Sequence, residues 1–134
     1  MFLKLLNVDA KEKFLKLCVF ASNSNGFLEN EERLLIFEYC REMNLKEEIP
    51  ELTESFEDLM SAMNDVMSLK EKKIVLLEIL ALIKCDGVYD KKEKEFMEKI
   101  ISKFGFQDIA LDEYNDLLEK YMQIGKELFE LISK

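Results

Sequence analysis

One pattern constrains this chain more than any other: an apolar helix, a glycine corner and a charged helix start, written twice. Gly26 and Gly87 hold the same place in the two copies, 61 residues apart. At that offset Asn7 falls on Ser68, one helix cap on another, and Asn44-Leu45 falls on Gly105-Phe106, one C-terminal stop on another. The apolar stripes agree too. Leu35, Ile36, Tyr39 and Cys40 meet Phe96, Met97, Ile100 and Ile101, while Phe56, Met60, Met63 and Met67 meet Leu117, Tyr121, Ile124 and Leu128. Caps, corners, stops and stripes in phase mark an internal repeat. The expected fold is all-α: a single helical bundle of about six helices over residues 1–134, built from two three-helix repeats, 7–67 and 68–132. Neither unit can bury its apolar faces alone, so the two should pack about a pseudo-two-fold axis with helices one and four central.

Composition supports helices and narrows function. Apolar residues make up 49% and charged residues 35%, with one Pro and four Gly, which excludes a disordered or low-complexity chain. The net charge of −9 repels phosphates, so nucleic acid and anionic membrane surfaces are not expected partners. There is no His, which removes Ser-His and Cys-His catalysis and His-based zinc sites. Cys18, Cys40 and Cys85 are odd in number, widely spaced and set among apolar residues, and read as reduced, buried thiols of a cytoplasmic protein. Met1 to Leu6 is too short for a signal peptide or a membrane span and reads as an arm packed on the body.

Local signals place the elements. Asn7 caps a helix over 8–22, and a second follows over 29–43. Pro50 lies in a linker, and a third helix spans 53–67. Ser68 with Glu71 is a capping box opening a fourth helix to Lys84, apolar almost all round except at Glu78. Asp90 with Glu93 is a second capping box, opening a helix that stops at Gly105. The sixth helix, 112–132, carries the stripe Tyr114, Leu117, Leu118, Tyr121, Met122, Gly125, Leu128, Phe129 and Ile132, with Gly125 suggesting close approach of another helix. The seven Met, at helical spacing, read as core filling.

Both corners match the second half of an EF-hand loop: a carboxylate or amide before Gly, an apolar residue two after it, and Glu six after it. The first half fails. Ala21 and Leu82 stand where calcium needs Asp, and Asn23 and Lys84 stand at the third ligand position. A hard cation wants six to eight oxygens, so a calcium-loaded EF-hand is not expected. Structure alone accounts for the pattern: Gly turns the corner, Asp86 or Asn25 bonds local amides, and Glu32 or Glu93 completes a cap.

Helix, Asp-Gly, apolar residue, then Glu opening the next helix resembles the TerB-like tellurite-resistance family. That fold is shared with the N-terminal domain of a membrane-anchored DnaJ-type co-chaperone. The resemblance covers nearly the whole chain and implies a non-enzymatic, stress-related interaction module. It further implies a protein partner within a membrane-associated complex, without membrane insertion, and a divalent cation held by acidic residues at the turns. The matching positions are Asp86, Asp90 and Glu93, with Asn25, Glu29 and Glu32 in the first copy. Two departures weaken a cation site: Asn25 is uncharged, and Lys91 and Lys92 sit among the carboxylates. The alternatives are a purely structural homodimer joined through the helix-six face and, less favoured, a metal-dependent hydrolase using clustered carboxylates. The acidic runs at 29–32, 47–51 and 112–119 read as solvated helix faces.

Overall fold

The computed structural model describes residues 1–22, 30–85, 89–107 and 109–134. Within them the chain is a strandless helical bundle. A 3-10 turn at Leu3–Leu5 precedes α1 (Val8–Ser22), α2 (Asn30–Glu42), α3 (Phe56–Val66), α4 (Leu69–Ile83), α5 (Lys91–Phe104) and α6 (Leu111–Ile132). No helix among the described residues is long and apolar enough to cross a membrane.

The ends form where the polar signals stand. Asn7 Oδ1 accepts the Ala10 N–H at 2.9 Å, and Ser68 and Asp90 each close a capping box with Glu71 and Glu93. At the other ends Asn44 (φ 58°) and Gly105 (φ 78°) adopt left-handed geometry. The next residue then folds back: Leu45 N–H reaches the Cys40 carbonyl at 2.8 Å, and Phe106 N–H reaches that of Ile101 at 3.1 Å. Two starts differ from expectation. α3 begins at Phe56 and not at Thr53: of the two residues the sequence offers as its cap, Thr53 and Ser55, it is the Ser55 hydroxyl that captures the Asp58 N–H. α6 begins at Leu111, with no side-chain cap, and Asp112 falls inside its first turn.

The core lies between α1 and α4, which pack on each other. Phe14, Leu17 and Cys18 of α1, and Val75, Leu76, Ile79 and Leu80 of α4, are fully buried. Each such Leu, Ile or Phe contributes about 1.5–3 kcal/mol by leaving water. α3 lies across α1 and α5. Its Phe56 ring sits 5.7 Å from Phe20 and 5.5 Å from Phe96, centroid to centroid. Met43, Met60, Met63, Met67 and Met97 are buried, as the core-filling reading expected, whereas Met1 and Met122 are exposed. The N-terminal arm packs down through Leu3 and Leu6. Cys18 and Cys40 are buried free thiols, whereas Cys85 is only partly covered, at the end of α4 where the helix leaves the core.

Glu71 joins the starts of α1 and α4. One carboxylate oxygen accepts the Asn7 backbone N–H at 2.7 Å and its amide side chain at 2.9 Å, and the other accepts the Ser68 N–H at 3.0 Å. Partial burial works against the charge, but the backbone bonds from Ser68 and Asn7 outweigh it and hold the carboxyl below its usual range.

α6 departs most from expectation. Its stripe was expected to be packed, yet Leu118 is its one buried residue. From Tyr121 onward every residue is exposed. The helix meets α4 near its own start, and its 22 residues reach roughly 33 Å, which carries the second half past the body. Gly125 was expected to admit a close helix; a Cβ there would meet nothing within 4 Å.

Candidate functional site

At the second corner the described carboxylates serve the helix. Asp90 Oδ1 accepts the Glu93 N–H at 2.9 Å, and Glu93 Oε1 accepts the Asp90 N–H at 3.0 Å. Glu93 is 7% exposed, covered as a cap would be. Lys84 turns away from these carboxylates to α6. Its ammonium pairs with Glu119 at 2.8 Å and hydrogen-bonds the Asn115 side chain, and it lies 5.9 Å from the Tyr89 ring centre. That hydrogen bond and charge pull the Glu119 carboxyl below its usual range. Lys94 approaches the same ring at 5.5 Å. The Tyr89 hydroxyl is pushed up, first by burial and then by Glu93, Glu98 and Asp112.

The structure therefore brings Asp90 and Glu93 together, as the capping pattern required. Glu32 lies in the first turn of α2, partly buried. Asn25, Glu29 and Asp86 lie outside the described residues. Among the described residues no group of three or more Cys, Asp or Glu is placed to hold a metal ion. Neither buried thiol is placed as a nucleophile: burial pushes Cys18 well above its usual range, and burial also raises Cys40.

The more prominent feature is on α6. Leu117, Tyr121, Met122, Ile124, Leu128, Phe129, Leu131 and Ile132 are 44–78% exposed. The first half of the stripe borders a groove of about 540 Å³ lined by Met1, Phe2, Leu77, Tyr114 and Leu117. Lys84 and Leu118 hold the root of the helix to α4, so the face is presented from a fixed base. The stripe was legible in the sequence; its exposure was not, because amphipathic periodicity identifies an apolar face without saying what covers it.

A second residue whose role the sequence did not reveal is Glu78, the single charge in α4's apolar run. It is fully buried and accepts the Phe2 N–H at 3.2 Å, while the Met1 amino group pairs with Glu42 and Glu78 at 3.0 Å each. Glu42 also accepts the Leu3 N–H at 2.9 Å. Two carboxylates thus pin the N-terminal arm beside the α6 groove. The signal in the sequence was the charge itself, since a buried carboxylate needs a partner.

No protein-family model matches the chain, and neither curated proteins nor solved structures yield a significant match.

Proposed function

We propose that this chain is a non-enzymatic, TerB-like helical interaction module, cytoplasmic and stress-related in the manner of that family, that works by presenting the α6 face to a protein partner. The observation carrying the reading is the run of eight large apolar side chains left outside on one helix. Contiguous apolar patches beyond a few hundred Å² mark interaction surfaces. The anchoring of α6 through Leu118 and the Lys84–Glu119 pair supports it, because a rigid base lowers the ordering cost of binding. The TerB-like part rests on the doubled helix–corner–helix pattern at an offset of 61. A divalent cation is the accessory expectation of that likeness. Asp90 and Glu93 act as reciprocal caps at the second corner, so the reading does not require a cation.

Amide hydrogen exchange tests the proposal, measured on the purified chain and on the chain cross-linked in its cells. Added protection over 117–132 in the cross-linked form is expected. Unchanged protection there, or protection gained instead around Asp90, would overturn it.

A further inference from the structure

We infer that the α6 face docks on a second copy of this chain, the two α6 helices running antiparallel in one fixed register. This deepens the interaction reading above and rests on it.

The pattern on α6 repeats every seven residues. Tyr114, Tyr121 and Leu128 form one row, and Leu117, Ile124 and Leu131 form the next. That is the seam of a two-helix coiled coil. One flank of the seam carries Glu113, Lys120 and Glu127, with Lys134 just past the end of the helix, so the charge alternates at each heptad. The other flank carries Leu118, which rests on the chain's own body, then Gly125 and Ile132.

In a parallel pair each charged flank would face the partner's apolar flank, leaving Lys120 opposite Gly125 and Glu127 opposite Ile132, with no ion pair. In an antiparallel pair like flanks face each other. With Tyr121 layered on the second copy's Ile124, and Leu117 on its Leu128, Lys120 meets Glu127 and Glu113 meets Lys134, each contact twice. A slip of one heptad either way sets Lys120 against Lys120 or Glu127 against Glu127. The alternation thus favours one orientation and one register over the alternatives, as flanking charges do in coiled coils.

Two further observations agree. Gly125 falls opposite the second copy's Leu118, where that helix rests on its body. Open space around Gly125 within one chain becomes clearance for the other. The area is of the right order. Stable interfaces bury roughly 800 Å² per partner. Six exposed side chains stand on the seam or its apolar flank, Leu117, Tyr121, Ile124, Leu128, Leu131 and Ile132, and each leaves on the order of 100 Å² outside, which supplies most of that area. The Met1–Phe2 groove beside Tyr114 and Leu117 would then receive the second copy's Leu128 and Leu131.

The test uses two single variants of the full chain, Lys120→Glu and Glu127→Lys, both changed on a solvent-facing flank. Light scattering after size exclusion should find the wild type dimeric. Each variant alone should dissociate about tenfold more readily or worse, because both of its contacts become like-charged. An equimolar mixture should recover the dimer, since the carboxylate introduced in one variant then faces the ammonium introduced in the other. Variants as dimeric as wild type, or a mixture that fails to recover, would overturn the register. A monomeric wild type would overturn the second-copy proposal, and binding of anilinonaphthalene sulfonate then decides the broader reading. Dye bound by wild type and lost in Leu117→Lys/Leu128→Lys leaves the face open to a different partner. No binding means that the face is covered within its own chain, and both readings fall.

Discussion

α3 and α6 carry corresponding stripes, yet they sit differently. α3 has 11 residues and lies across both α1 and α5, with Leu59, Met60 and Met63 buried. α6 has 22 residues and rests on the body near its start, with Leu118 its one fully covered side chain. An apolar stripe therefore specifies a helix and the face that must be covered, while length and point of attachment decide whether the same chain can cover it.

The largest test of this contrast is in α3. Met63→Ala should cost about 2–5 kcal/mol of unfolding free energy, measured by urea denaturation, because it opens a cavity in a dry core. Phe56→Ala should cost somewhat less, about 2–3 kcal/mol, as its ring is partly exposed but touches Phe20 and Phe96. Its counterpart at the same offset, Leu117→Ala, should change stability by no more than about 0.5 kcal/mol in dilute solution, where copies are apart. Equal costs at Phe56 and Leu117 would mean that α6 is packed like α3, and the contrast would be gone.

Smaller effects sharpen the comparison at the helix starts. Glu71→Gln should cost about 1 kcal/mol near neutral pH, as charge-assisted bonds to Asn7 and Ser68 weaken. The Glu71 carboxyl is depressed in the folded state, so its ionic contribution is fully present above the unfolded value and fades as pH falls through the folded one. The gap between variant and wild type should therefore close on acidification; a gap that widens would contradict the cap. Asp90→Ala should cost about 1 kcal/mol as a lost N-cap. Its melting point, like that of wild type, should not move with calcium, magnesium, manganese or zinc. An ion-dependent rise that Asp90→Ala abolishes would support a metal role.

Much of this arrangement could be read from residues alone. Asn7, Ser68 and Asp90 announce helix starts, and Asn44 and Gly105 announce stops, because capping is chemistry between residues three or four apart. The apolar run of α4 announced a central helix for the same local reason. What escaped depends on distance along the chain. Glu78 looked like an interruption until Phe2 supplied its partner, 76 residues away. Lys84 looked like a repelling charge in a cation loop until Glu119 and Asn115 claimed it from α6. The exposure of Leu117 through Ile132 depends on where α6 leaves the body, which no periodicity encodes.

The shared cap at Glu71 also bears on how the chain comes to be folded during synthesis. Asn7 receives its carboxylate from a residue 64 positions later. α1 therefore leaves the ribosome long before the carboxylate that holds its capping residue exists. Its apolar side waits for α4 as well. The first three helices should accordingly remain loosely ordered until the fourth arrives, and the nascent chain should consolidate as a whole rather than half by half.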